Sequence, residues 1–212
     1  MKKIVIILSL TLTLSFVACK EDEETITENA QTFEVLELST DFGQMYIHLY
    51  DETPLHKANF DSLVRAGFYD STEFHRCIRN FMIQGGDPNS KDDNRGNDGT
   101  GGPGYTVAAE IDSSKFKHTY GALAAARIGN SGNPERRSSG SQFYIVNNVN
   151  GRPHLDGEYT TFGMVLSGKE VATTIAKQPQ NSSNLPDERI KMIMKYVELT
   201  QAQLDEKGIV IP

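Results

Sequence analysis

The sequence contains no tryptophan and only two cysteines, Cys19 and Cys77, among 212 residues. Two cysteines cannot build the network of disulfides that stabilises many small secreted domains, so the fold must rest on a hydrophobic core. An excess of basic residues is also missing, because 28 acidic residues outnumber 21 basic ones and the formal net charge is −7. The chain therefore lacks the positive footprint of a nucleic-acid-binding protein, and we predict no nucleic-acid partner.

Several motifs of catalysis and ligand binding are missing as well. No Gly-x-Ser-x-Gly turn is present to expose a serine nucleophile, and the five histidines are scattered without ligand spacing. Residues 87–91 begin like a calcium loop, but Lys91 replaces the third ligand, and the required glycine and terminal glutamate are absent. The glycine-rich residues 99–104 lack the Gly-Lys-Ser/Thr ending of a phosphate-binding loop. We therefore predict no metal and no cofactor.

The first 18 residues have the pattern of a secretory signal. Lys2 and Lys3 precede an apolar run over residues 4–18, which is too short for a stable membrane-spanning helix. Ala18 followed by Cys19 resembles the processing site of bacterial lipoproteins, in which the cysteine is acylated and becomes the new N-terminus. We predict a signal peptide over residues 1–18 and a membrane anchor through lipidated Cys19. An ordinary cleaved signal with an incidental Cys19 is the alternative.

Residues 19–32 are predicted to form an acidic flexible linker, since they begin with the run Lys-Glu-Asp-Glu-Glu. This run also resembles the signal by which some Gram-negative bacteria export lipoproteins to the outer face of the outer membrane. The predicted location is therefore the cell envelope, as an outer-membrane lipoprotein. Periplasmic retention and surface display both remain open.

One domain is predicted over residues 33–200, followed by a C-terminal tail over residues 201–212. Residues 33–38 and 45–50 read as a β-hairpin, and Thr53 followed by Pro54 reads as a helix start with a capping hydroxyl. Strands are predicted over residues 140–146, 161–166 and 190–198, and a second helix over residues 169–177. Many strands with two helices and no βαβ alternation favour a closed antiparallel barrel or a sandwich.

The segment over residues 74–87 places a permanent cation, Arg76, beside an amide and large apolar side chains. If residues 81–84 are extended, Phe81 and Ile83 face one side while Met82 and Gln84 face the other. Such a wall suits a neutral, partly apolar ligand next to one fixed positive charge.

Five short motifs occur in the order found in cyclophilins, and together they make the chain resemble that family over about residues 33–200. The motifs are Phe74-His75-Arg76, Phe81-Met82-x-Gln84-Gly85-Gly86-Asp87, Gly99-Thr100-Gly101-Gly102, Gly140-Ser141-Gln142-Phe143, and Leu155-Asp156-Gly157 with Phe162-Gly163. The resemblance implies a mainly β fold, a closed eight-stranded antiparallel barrel capped by two α-helices. It also implies peptidyl-prolyl cis–trans isomerase activity on proline-containing polypeptides, by a monomer.

The resemblance also implies roles for individual residues. Arg76 is the expected catalytic residue, and the expected substrate-binding residues are His75, Phe81, Met82, Gln84, Ala126, Arg127, Gln142, Tyr144, His154, Leu155 and Tyr159. Phe81 and Met82 cannot both face a pocket from a regular strand, so we expect a bend or a strand start near Phe81.

Four of these positions depart from the usual family pattern. Tyr144 replaces phenylalanine, His154 replaces tryptophan, Tyr159 replaces histidine and Arg127 replaces asparagine. We expect the added hydroxyl of Tyr144 to need water or a partner at the pocket rim. The departures put tight binding of cyclosporin in doubt. They also leave open a proline-peptide-binding or chaperone module with weak or no catalysis, and an adhesin in which the barrel is only a scaffold.

Overall fold

A computed structural model of the chain describes residues 31–212. The predicted signal peptide, the lipidation at Cys19 and all but the last two residues of the predicted linker lie outside the described residues. In the part that is described, no helix has the length and apolar character needed to cross a membrane.

Eight strands form one antiparallel sheet. Their bounds are Thr32–Thr40 (β1), Gly43–Leu49 (β2), Arg76–Ile78 (β3), Met82–Gly85 (β4), Ala122–Ala125 (β6), Phe143–Val146 (β8), Thr161–Ser167 (β9) and Ile193–Thr200 (β10). Two further short strands, Thr106–Val107 (β5) and Ser138–Ser139 (β7), pair with each other. The order in the large sheet is β10-β1-β2-β9-β6-β8-β4-β3. The predicted hairpin is confirmed as β1 and β2, which pair from Leu36↔Ile47 to Thr40↔Gly43.

The two edges of the large sheet are not joined by a strand ladder. Within residues 31–212, the edge strands β3 and β10 do not pair with each other. The segments before the two edges meet instead, through one isolated antiparallel bridge between Glu73 and Lys191. Backbone hydrogen bonds reinforce this contact, with Phe74 N–H donating to Ile190 O at 3.0 Å. The mainly β architecture is as predicted, and within residues 31–212 this single bridge with its neighbouring hydrogen bonds links the two edges of the eight-stranded sheet.

The hydrophobic core lies on the inner face of the sheet and under two helices. Helix α1, Pro54–Arg65, contributes Phe60, Leu63 and Val64, and helix α2, Lys169–Ile175, contributes Val171, Ala172 and Ile175. The core strands alternate as predicted, since Phe143 packs inside while Tyr144 belongs to a cluster on the outer face. Cys77 is buried in the inner cluster, and burial raises the pKa of its thiol to about 12. This cysteine is therefore a small apolar core residue.

The N-terminus of α1 is capped from a distant part of the chain. The predicted capping role of Thr53 is wrong, because its hydroxyl donates to Tyr50 O at 3.3 Å and caps no helical N–H. The Glu110 carboxylate accepts instead from the N–H groups of Leu55, at 3.0 Å, and His56, at 2.9 Å. A negative charge at this end of a helix also complements the helix dipole.

The C-terminal tail is ordered against the outer face of β1, β2 and β10. A third helix, α3, runs over Gln201–Glu206, and its first turn is closed by a capping box between Thr200 and Gln203. Leu204 and Ile209 are buried there with Val35 and Tyr46. Residues 201–209 therefore cover apolar surface that the sheet would otherwise expose.

Candidate active site

The chain turns sharply just before β4, at the position where the sequence predicts a strand start. Asn80 adopts the left-handed conformation with φ +55°, and Phe81 N–H donates to Ile78 O at 3.1 Å. The Phe81 carbonyl then accepts from Asn147 N–H at 3.1 Å, and the strand begins at Met82. The prediction is confirmed. Because Phe81 belongs to the turn, its ring and the Met82 side chain both reach the same cavity.

That cavity lies on the outer face of the sheet and has a volume of about 120 Å³. Strands β3, β4 and β8, the turn before β4, the two residues after β6 and the segment after β8 supply its lining: Arg76, Phe81, Met82, Gln84, Ala126, Arg127, Tyr144, Leu155 and Tyr159. Nine of the residues singled out from the sequence thus come together, although they span more than 80 positions of the chain. The pocket is small, apolar at its base and charged at one edge.

A chain of polar groups holds Arg76 at that edge. Arg76 pairs with Gln84 across the β3–β4 ladder, and its guanidinium donates to Gln84 Oε1 at 3.4 Å. Gln84 Nε2 donates to Gln142 Oε1 at 2.9 Å, and Gln142 Nε2 donates to the carbonyls of Gly99 and Gly101 at 3.0 and 2.8 Å. The amides are therefore oriented by backbone, while most of the five guanidinium donors stay available to a ligand.

A larger groove of about 850 Å³ adjoins the small cavity. It runs between the glycine-rich residues 99–106 and the loop over residues 126–139, and Gln142 lies in its lining. The two depressions share Gln84, Ala126 and Arg127, so they form one continuous cleft. Arg76 borders only the smaller one, which is therefore the candidate for chemistry although the groove is wider.

His75 and His154 do not line the small cavity. His75 is buried beside Gly99, its two ring nitrogens have no hydrogen-bond partner among residues 31–212, and burial lowers its pKa. Its position gives no support to the expected contact with substrate. His154 stacks on the Phe81 ring, with centroids 6.0 Å apart, and the Arg152 guanidinium lies 5.4 Å from the centroid of that ring. His154 therefore supports one side of the cavity from outside.

Arg127 does not offer a free cation to the cleft. Its guanidinium donates to the Glu158 carbonyl at 2.9 Å and to the Glu158 carboxylate at 3.2 Å, and it lies 4.5 Å from the centroid of the Tyr159 ring. The side chain is thus part of the wall, and its guanidinium shares the Glu158 carboxylate with Arg136, whose Nη2 lies 3.1 Å from Glu158 Oε1.

The Tyr144 hydroxyl does not lie at the pocket rim as expected. It points into the protein and forms a 2.8 Å hydrogen bond with His118 Nε2, while His118 Nδ1 lies 2.9 Å from Asp156 Oδ1. Sequence reasoning missed both partners. His118 was one of the scattered histidines, and Asp156 was noted only as the middle of a Leu-Asp-Gly motif.

No group of three or more His, Cys, Asp or Glu side chains in the described part of the chain is arranged to hold a metal ion. The site as built consists of one cation, two ordered amides and an apolar cavity. A family model described as "Cyclophilin type peptidyl-prolyl cis-trans isomerase/CLD" matches residues 35–197, which include all of these side chains. The chain belongs to the cyclophilin-type peptidyl-prolyl cis–trans isomerases.

Curated relatives agree with this cyclophilin assignment. Peptidyl-prolyl cis-trans isomerase B of Bacillus subtilis is 40% identical over 140 residues, which cover 66% of this chain and 87% of the relative. A peptidyl-prolyl cis-trans isomerase of Helicobacter pylori is 35% identical over 133 residues, covering 62% and 72%.

Solved structures give the same fold. A cyclophilin-type peptidyl-prolyl cis-trans isomerase of Cryptosporidium parvum superposes with a TM-score of 0.67 at 30% identity, covering 81% of this chain and 99% of that one. A second structure of that protein, determined in the presence of the dipeptide Ala-Pro, gives a TM-score of 0.66. The architecture of this chain, mainly β with helices packed on the sheet, is therefore the cyclophilin fold.

Proposed function

We propose that this cyclophilin isomerises X–Pro bonds with the proline ring in the 120 Å³ cavity and Arg76 acting on the prolyl nitrogen. The observation that carries the proposal is the placement of the Arg76 guanidinium at the edge of a cavity lined by Phe81, Met82, Tyr144 and Leu155. A small apolar ring fits those side chains, and the amide nitrogen of proline belongs to the ring.

The chemistry needs only electrostatics and shape. Rotation about the X–Pro bond crosses a barrier of roughly 18–20 kcal/mol because it breaks amide resonance, but no covalent bond changes. In the twisted state the prolyl nitrogen becomes pyramidal and regains its lone pair. A guanidinium that donates to this lone pair stabilises the twisted state more than either planar isomer, which is the condition for catalysis. Arginine keeps its charge in a partly desolvated site.

The groups around Arg76 have matching roles in the proposal. Gln84 orients the guanidinium, and Gln142 holds Gln84 in turn. The backbone of Ala126 cannot pair with substrate, since its N–H donates to Gln142 O at 3.0 Å and its carbonyl accepts from Ser139 N–H at 2.8 Å. The backbone of Arg127 forms no hydrogen bond within residues 31–212. Pairing with an extended peptide in β fashion therefore falls to Arg127.

The substrates we propose are exposed X–Pro segments of envelope or secreted proteins, whose folding the enzyme assists. Support for the substrate class comes from the relative of Cryptosporidium parvum studied in the presence of Ala-Pro. Support for the location comes from the N-terminal sequence, with Lys2, Lys3, an apolar run and Ala18-Cys19. Labelling of cells with a radioactive fatty acid tests the anchor: the full chain should incorporate label, and Cys19→Ala should not.

A prolyl-peptide isomerisation assay tests the activity. The wild type should accelerate the reaction, and Arg76→Ala should lower kcat/KM by about 10²–10³-fold, the usual loss when one preorganised donor is removed. Arg79→Ala is the matched control, because Arg79 is exposed and donates to Lys177 O outside the cavity. An Arg76→Ala variant as active as the wild type would contradict the assignment. Peptide binding by the wild type without turnover would favour a proline-peptide-binding or chaperone module.

A further inference from the structure

Two buried side chains, Tyr144 and His118, and the partly buried Asp156 are linked by hydrogen bonds directly behind the proline cavity. The Tyr144 hydroxyl lies 2.8 Å from His118 Nε2, and His118 Nδ1 lies 2.9 Å from Asp156 Oδ1. Tyr144 is 5% exposed and His118 is 2% exposed. Asp156 Oδ1 also accepts from the backbone N–H of His118 at 2.8 Å, so the carboxylate holds this histidine by two bonds.

The donors and acceptors in this set of hydrogen bonds follow from the protonation states of His118 and Asp156. Burial lowers the pKa of His118 despite its contact with Asp156, so the imidazole is neutral near pH 7. Burial tends to raise the pKa of Asp156, but the hydrogen bonds from His118 outweigh it and the pKa is lowered, so the carboxylate is ionised. A carboxylate only accepts, which places the imidazole proton on Nδ1 and leaves Nε2 as an acceptor. Tyr144 therefore donates its hydroxyl proton to His118.

The hydrogen-bonded side chains Tyr144, His118 and Asp156 connect two walls of the cavity. Tyr144 lines it from strand β8, and Leu155, the residue directly before Asp156, lines it from the segment that follows β8. That segment is also tied to His118 through its backbone, because Arg152 N–H donates to His118 O at 2.7 Å. Neither His118 nor Asp156 lines the cavity.

We infer that His118 and Asp156 are positioning residues, which fix the width of the proline cavity through the hydroxyl of Tyr144. The inference rests on the proposed function only in taking the cavity as the proline site. In this inference the hydrogen bonds from Tyr144 through His118 to Asp156, and not apolar packing alone, set the distance between the Tyr144 ring and Leu155.

Packing of the rings is the competing account. The His118 and Tyr144 rings lie nearly parallel with centroids 5.9 Å apart, and Tyr159 meets the Tyr144 ring edge-on at 5.8 Å. These contacts survive in Tyr144→Phe, which keeps the ring and removes only the hydroxyl. The two accounts therefore predict different results for this one variant.

The test combines Tyr144→Phe, Asp156→Asn and the double variant in peptide titrations and isomerase assays. We expect each single change to raise the Kd and KM of a prolyl peptide by about five-fold, the usual net effect of one hydrogen bond, with kcat changed less than two-fold. The Kd of the double variant should not exceed that of the single variant with the higher Kd, because both changes break the same series of hydrogen bonds. Tyr120→Phe is the control: it removes a hydroxyl bonded to Thr173 at 3.1 Å, and its Kd should equal that of the wild type.

Nitrogen NMR of the His118 ring supplies a readout that a purely structural role would not change in this way. The wild type should show a neutral ring with its proton on Nδ1, and Tyr144→Phe should shift the Nε2 resonance without moving the proton. A lowered Tm with unchanged Kd and KM in Tyr144→Phe, or effects that multiply in the double variant, would overturn the inference. Wild-type protein that binds peptide without isomerising it would refute the proposed function. The Kd values of the variants would still decide whether His118 and Asp156 are positioning residues. Wild-type protein that does neither would refute both.

Discussion

Removal of the C-terminal segment should destabilise the domain without altering its catalytic site. Leu204 is 2% exposed and Ile209 is 3% exposed, and both pack against Val35 and Tyr46 on the outer face of the sheet. A polar contact also ties the segment to β9, because Ser167 Oγ donates to Lys207 O at 2.6 Å, and Ile209 N–H closes a turn within the segment by donating to Leu204 O at 2.9 Å. A chain that ends after Thr200 loses all of these interactions.

The size of the effect follows from the two buried side chains. Truncation of an enclosed leucine or isoleucine to alanine costs about 2–5 kcal/mol, and the lower end applies here because this cluster is one layer between a helix and a sheet. Leu204→Ala and Ile209→Ala should therefore each lower the free energy of unfolding by about 2 kcal/mol. Removal of residues 201–212 should cost about 4–6 kcal/mol, since it also exposes Val35 and Tyr46. This is a large part of the roughly 5–15 kcal/mol typical of a domain.

Urea unfolding followed by far-UV circular dichroism measures the loss, because the chain has no tryptophan for a fluorescence signal. With a slope of about 2 kcal/mol per molar urea, a 4 kcal/mol loss lowers the midpoint by about 2 M. Removal of residues 210–212 is the control, since Val210 is 79% exposed, and it should change stability by less than about 0.5 kcal/mol. Equal midpoints for the two truncations would refute the reasoning. So would a loss of kcat/KM in folded protein, because no residue of the tail lines the cavity, which is built from β3, β4, β8 and adjoining segments.

Two further predictions concern pH and the first helix. Burial lowers the pKa of His56, His75 and His118, so the unfolded chain binds more protons than the folded chain below about pH 6.5. The stability that the neutral histidines contribute is fully present above pH 6.5 and is lost as the pH falls toward their pKa values in the folded protein. The loss is up to about 1.4 kcal/mol per pH unit for each histidine. Urea midpoints that stay constant between pH 7 and pH 5 would contradict this prediction. Glu110→Gln should cost about 1–3 kcal/mol because it weakens the cap on α1 and the 2.6 Å contact with His56 Nδ1. The exposed Glu52→Gln is its control in the same urea titration, and equal midpoints for the two variants would show that the cap is unimportant.

Local patterns in the sequence account for the longer strands and for the two helices that pack on the core. The alternation of residues 33–38 and 45–50 predicts the hairpin, and Phe60, Leu63 and Val64 at helical spacing predict the buried face of α1. These features depend on near neighbours in the chain, where side-chain periodicity is a reliable guide. The turn before β4 is predicted on another basis, because the resemblance to cyclophilins places Phe81 and Met82 in one pocket and a regular strand cannot do so.

The motifs also determined which residues to examine at the site. They singled out the nine side chains that line the small cavity, although spacing alone could not show that they meet. His75 was included because it belongs to a motif, but it is buried beside Gly99, outside the cavity. A motif records which residues occur together in a family, and it does not state which way each side chain points.

Only the tertiary structure decided the partners of polar groups that are far apart in sequence. Glu110 reaches the start of α1 from 54 positions away, and Asp156 reaches His118 from 38 positions away. The hydroxyl of Tyr144 bonds to His118 and does not lie at the pocket rim. Strand alternation determines the face of the sheet on which a side chain lies, but the packing of other segments determines which group it contacts there. The sequence by itself determined the family, five of the ten strands and two of the three helices within residues 31–212. The fold decided how the two edges of the sheet meet near β3 and β10, that the C-terminal tail covers the outer face of β1, β2 and β10, and that His118 and Asp156 lie behind the cavity. Each of these depends on contacts between segments that come together only when the chain folds.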